Sequence, residues 1–100
     1  MNKTISMDAY LTDKSGNGTS VMYNVHNLYG TLETMATQKY LISKSTNRAF
    51  ILSRDSFVGH GKYGTIWTGD NDSTFEHLKH SFSSIMTMSM MGLPFIGADV

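Results

Sequence analysis

The chain has 100 residues, 40% of them hydrophobic and only 16% charged, with eight basic residues balancing eight acidic ones. That composition excludes a disordered segment, and a neutral balance without a Lys/Arg cluster excludes binding to nucleic acid or anionic membranes through charge. There is no cysteine, which removes disulfides and Cys-based metal sites, and no apolar run reaches the roughly 20 residues of a membrane-spanning helix.

Residues 1–24 show no sustained period, and Thr12–Ser20, TDKSGNGTS, has a loop composition, so this N-terminal segment is read as loop-rich. It begins without a basic stretch followed by an apolar run, and no signal peptide is expected. From His26 the pattern changes. Leu28, Leu32, Met35, Ala36 and Leu41 recur at helical spacing, which predicts a half-buried helix over about His26–Ser43. Ala49–Ser53, AFILS, has the length and composition of a strand buried on both faces. A glycine-punctuated loop, FVGHGKYG, leads to a second strand at Thr65–Thr68. Ser73 and Glu76 have capping-box spacing, which predicts a helix to about Met91, with Phe75, Leu78, Phe82, Ile85 and Ser89 on one face. Gly92 is placed to end it and Pro94 to block its continuation. Pro94–Val100 reads as a third strand. The order α–β–loop–β–α–β predicts an α/β fold with a parallel sheet and helical cover. Three strands cannot cover their own edges, so an incomplete barrel or doubly wound sheet is favoured over a small stand-alone α/β module. The low charge and abundant Ser, Thr and Met also fit a segment covered by other protein.

In parallel α/β architectures reactive groups sit at the carboxyl tips of strands. A polar residue stands at each tip here: Arg54, Asp70 and Asp99. Singly, each has a structural explanation, as an ion-pair partner, a helix cap or a turn residue. Three at successive tips describe a cleft with one cation and two acids, and they name no reaction. His60, in the glycine loop near the tips, is a candidate ligand contact. His26 opens the first helix and is suited to orienting a loop. His77 and His80 lie three apart on the second helix without a third ligand, so exposed helix surface is expected and no metal site. Met86, Met88, Met90 and Met91 read as soft core packing. The glycine loop lacks phosphate-loop spacing, and no nucleophile-elbow motif occurs.

Three stretches, VHNLYG (25–30), FILSRDSFVGHGKYGTIWTGDN (50–71) and GLPFIGADV (92–100), together resemble glycoside hydrolase family 31. The similarity spans roughly residues 21–100. It implies a partial (β/α)8 TIM barrel, from about its fourth helix to its seventh strand. It also implies hydrolysis of O-glycosyl bonds by a retaining α-glucosidase acting on terminal α-linked glucose of oligosaccharides or N-glycans. By the resemblance Asp70 matches the general acid/base, Arg54 the arginine that binds the reacting sugar, Trp67 an aromatic wall, and Asp99 an acid lining the same subsite. No cofactor or metal is implied. The partner is an oligosaccharide or glycan substrate, joined by a regulatory subunit if the chain is of the glucosidase II type. The endoplasmic-reticulum lumen, the lysosome and secretion all stay open as locations. The family's nucleophilic aspartate, in a Trp-x-Asp-Met-Asn-Glu type stretch, does not occur in these residues. The 100 residues are therefore expected to be a fragment that is inactive in isolation, carrying the acid/base half of a site. The alternative is a carbohydrate-binding remnant without catalysis.

Overall fold

A computed structural model describes residues 4–100. Its N-terminal segment is not all loop. β1 (Tyr10–Thr12) and β2 (Gly18–Val21) pair antiparallel, with Tyr10 opposite Val21 and a slip in register after Leu11. The Asp13 carboxylate makes the turn between them, accepting the N–H groups of Ser15 at 2.8 Å and Asn17 at 3.0 Å, while Gly16 takes φ +82°. Strands of three and four residues are too short to display a period, which is why only the turn was visible in composition.

A short helix α1 (Met22–Val25) and a 3-10 turn (His26–Leu28) lead into α2 (Tyr29–Lys44), so α2 begins three residues after the predicted start at His26. The face it buries also differs from expectation. Gly30, Thr31 and Thr34 are buried, whereas Leu32, Met35, Ala36 and Leu41 are exposed. The reason is the closeness of the packing. A Cβ on Gly64 would lie 2.7 Å from Cγ2 of Thr34, and a Cβ on Gly30 would lie 2.6 Å from Cβ of Asp55. A helix this near a neighbouring backbone accepts only small residues at the contact, and its larger apolar residues turn elsewhere.

β3 (Leu52–Ser53) and β4 (Thr65–Ile66) run parallel, Leu52 opposite Thr65 and Ser53 opposite Ile66. The pairing extends past the named strands, since the Trp67 N–H donates to the Ser53 carbonyl at 3.2 Å. On the other side of β4, the Thr68 N–H donates to Gly97 O at 2.9 Å, and the chain ends in a parallel bridge between Asp70 and Asp99. The three predicted strands are present in order and direction but reduced to two residues, two residues and one bridge. Burial on both faces of the first is not found, because Phe50 is 77% and Leu52 is 52% exposed. A sheet face is covered only where another layer lies on it, and among the described residues none covers Phe50 and Leu52.

α3 (Phe75–Met90) follows, and its C-terminus ends as predicted. Gly92 takes φ +86°, its N–H donates to Ser89 O, and the Leu93 N–H donates to Met88 O, the paired bonds of a Schellman motif. The methionine cluster at its C-terminal end does not form core: Met86, Met90 and Met91 are exposed and Met88 is half-buried. Among the described residues the buried hydrophobic ones are Met22, Ile66 and Leu93. The accessible surface of 8091 Å² exceeds the roughly 5,700 Å² expected for a folded monomer of this mass. The radius of gyration, 16.4 Å, likewise exceeds the ~13 Å of a compact chain this long. Among the described residues no helix is long and apolar enough to cross a membrane.

Candidate active site

The site is assembled where the parallel segments end. Arg54 follows β3 directly, and its Cζ lies 5.6 Å from the centroid of the Trp67 ring, a cation–π distance. The guanidinium also passes over Gly69. A Cβ at that position would stand 2.5 Å from Nη2 and 2.7 Å from Cζ, and Gly69 has φ +88°. Glycine is thus required twice, for its backbone conformation and for the room it leaves. Composition and spacing did not single Gly69 out. The signal available was its place between an aromatic residue and an acid at a strand tip.

Asp70 comes next and is exposed, and Asp99 faces it across the bridge, also exposed. Two backbone bonds hold the pair in register: Asp99 N–H donates to Gly69 O at 3.1 Å, and Asn71 N–H donates to Asp99 O at 2.6 Å. The structural explanations offered above for these residues do not describe them. Among the described residues Arg54 makes no ion pair. Asp70 does not cap α3. The cap is Thr74, whose Oγ1 accepts the His77 N–H at 3.2 Å, while the His77 Nδ1 accepts the Asp72 N–H at 2.9 Å. The expected Ser73–Glu76 capping box is therefore replaced by a Thr74–His77 pairing one residue later, in which the imidazole reaches back past the cap to the Asp72 N–H.

His60 has a different setting. It is 1% exposed, with its Nδ1 3.1 Å from the Thr31 hydroxyl on α2, and its Nε2 has no hydrogen-bond partner among the described residues. It ties the glycine loop to α2 through Thr31. His26 orients its surroundings as expected, through Thr4 Oγ1 at 2.9 Å and Asn27 Oδ1 at 3.2 Å. His77 and His80 lie on the surface of α3 beside Asp72 and Glu76. Among the described residues no cluster of three His, Asp or Glu side chains could hold a metal ion.

One cation on an aromatic ring and two carboxylates at adjacent tips can grip a polyhydroxylated ligand and exchange a proton with it. The family model for the glycosyl hydrolases family 31 TIM-barrel domain matches residues 1–100. Lysosomal alpha-glucosidase of Mus musculus is 43% identical over 81 residues, which is 81% of this chain and 8% of that protein. Alpha-xylosidase 1 of Arabidopsis thaliana is 44% identical over 78 residues, 78% of this chain and 8% of that protein. Intestinal sucrase-isomaltase of Suncus murinus is 40% identical over 99 residues, 98% of this chain and 5% of that protein. The chain spans less than a tenth of the length of these relatives. With the matched model running along its whole length, the chain belongs to glycoside hydrolase family 31, in the TIM-barrel domain.

Proposed function

We propose that this chain is the acid/base segment of a longer retaining α-glucosidase acting on terminal α-linked glucose of oligosaccharides or glycans. It would contribute the stretch from about the fourth helix to the seventh strand of a (β/α)8 barrel. The observation that carries this reading is the convergence of Arg54, laid on Trp67 and Gly69, with Asp70 and Asp99 at one end of the parallel segments. The excess surface supports the fragment reading, because the three hydrophobic residues buried among the described ones do not make the core of a self-contained module.

In this reading Arg54 holds sugar hydroxyls through its fork of donors, and Trp67 and Asp99 line the same subsite. Asp70 delivers its proton to the glycosidic oxygen as the C1–O bond breaks. A carboxylate from another part of the barrel forms the covalent bond to C1, with the two carboxyl groups about 5–5.5 Å apart. Asp70, now ionised, takes a proton from the water that attacks C1 and releases glucose with its configuration retained.

The test uses a full-length enzyme in which this chain's matching residues replace the corresponding 81 of the mouse lysosomal enzyme. The exchanged enzyme is expected to hydrolyse nitrophenyl α-glucoside, and the isolated 100 residues are not. Asp70→Ala should slow substrates with poor leaving groups by roughly 10²–10⁴-fold, the share of general acid catalysis. Activated substrates should still form the intermediate and stall, and azide should restore turnover to an α-configured product. A folded exchanged enzyme without activity would favour a carbohydrate-binding remnant. Equal slowing of both substrate types with no azide rescue would make Asp70 a structural residue.

A further inference from the structure

We propose that Asp55 is a positioning residue for Arg54, joining the arginine's loop to the N-terminus of α2 through the backbone N–H of Gly30. The inference rests on the role of Arg54 proposed above. Asp55 Oδ2 accepts the Gly30 N–H at 2.8 Å, across 25 residues of sequence and in a partly buried setting. Gly30 is the second residue of α2, whose own N-cap residue, Leu28, supplies no side-chain cap. Asp55 thus meets an otherwise unsatisfied donor, at the helix end where a negative charge is favoured.

Two further contacts make this more than a cap. The Ser53 hydroxyl donates to the Asp55 carbonyl at 2.7 Å, and the Ser53 carbonyl accepts the Trp67 N–H at 3.2 Å. The two residues that flank Arg54 are therefore both fixed, one to the neighbouring strand and one to the helix. Gly30 leaves no slack in the second attachment, because any Cβ there would stand 2.6 Å from Cβ of Asp55 and 2.7 Å from its Oδ2. Beyond this bracket Arg54 has Trp67 and Gly69 as its support, with no carboxylate among the described residues to hold its guanidinium. The direction of the side chain is set from its backbone, and Asp55 is the link that sets the backbone on its C-terminal side.

The experiment is a double-mutant cycle in the exchanged full-length enzyme, read as kcat/KM on a nitrophenyl α-glucoside with folding checked by melting temperature. Arg54→Ala should cost at least about 100-fold, and Asp55→Ala about 10- to 100-fold, as a displaced binding group does. In the Arg54→Ala background the Asp55→Ala change should cost less than about two-fold, because the residue it positions is gone. Asp55→Asn keeps an acceptor oxygen of the same reach and should stay within about three-fold of the parent. Asp55→Glu keeps the charge but adds a methylene where Gly30 leaves no room, and it replaces Asp55→Ala in the cycle if the alanine variant does not fold. If the loss is the same in both backgrounds, Asp55 supports the fold generally and the proposal falls, while the assignment of Arg54 stands. An Arg54→Ala change without effect would overturn both.

Discussion

α2 and α3 are each sixteen residues long and differ in how they are seated. α2 buries Gly30 against the Asp55 side chain, Thr31 against His60 and Thr34 against Gly64, sends Gln38 Nε2 to the Tyr63 carbonyl at 3.0 Å, and anchors Asp55 at its start. α3 has no buried residue, although its apolar stripe is the more regular of the two. Phe75, Leu78, Phe82 and Ile85 instead line a cavity of about 590 Å³ together with Gly97, Ala98 and Val100. Close backbone approach and polar ties seat a helix on contacts made within this chain. A stripe of large apolar side chains needs a surface of matching breadth, and the described residues do not supply one. The more hydrophobic helix is therefore the less settled one, and its seat is expected from the rest of the barrel.

Three substitutions in the exchanged enzyme would break or sharpen that contrast, read as amide hydrogen exchange along each helix. The largest effect is expected for Phe82→Ala. If the barrel covers α3, the loss is that of a buried aromatic residue, about 3–5 kcal/mol, and α3 loses protection while α2 does not. A silent Phe82→Ala would place the stripe in solvent and remove the contrast. Gly64→Ala comes second. Its methyl group would meet Cγ2 of Thr34 and the Ile51 carbonyl, an overpacking worth about 1–3 kcal/mol that should raise exchange over α2. Thr34→Ser, which removes that methyl contact, should return most of the loss. If it does not, the closeness of α2 is not what seats it. Smallest is Thr74→Ala, which removes the cap of α3 at a cost of about 1 kcal/mol. Faster exchange should stay within the first turn of α3, and spread through the helix would mean that the cap, not the covering barrel, holds it.

The same contrast explains what could be read from residues alone. Turn chemistry is local, so Gly92, Pro94 and the Asp13–Gly16 turn were visible where they stand. The three strand tips were legible because an apolar run ending in a charged residue is a one-dimensional pattern. Which face of α2 turns inward was not, because hydrophobic spacing reports where large residues lie and not how near a neighbouring backbone comes. The start of α3 was misplaced by one residue because Ser73 and Thr74 are equally good caps in composition. Choosing between them depends on the His77 ring reaching back to the Asp72 N–H. Asp55 and Gly69 escaped notice for a related reason. Their partners, Gly30 and Arg54, are distant in sequence, and glycine carries no side chain to advertise a contact.

The placement of Arg54 across Trp67 and Gly69 has a consequence for affinity that concerns disorder, not contact. A free arginine side chain samples many rotamers, and fixing such a chain on binding costs roughly 0.5–1.5 kcal/mol. Here the ring on one side and the bare glycine backbone on the other restrict those rotamers before any sugar arrives. The loss is taken in folding, where it is spread over the whole domain, and little of it is left for the moment of binding. In the proposed site, a sugar would meet a group already aimed, so more of each hydrogen bond formed with its hydroxyls would be kept as binding energy.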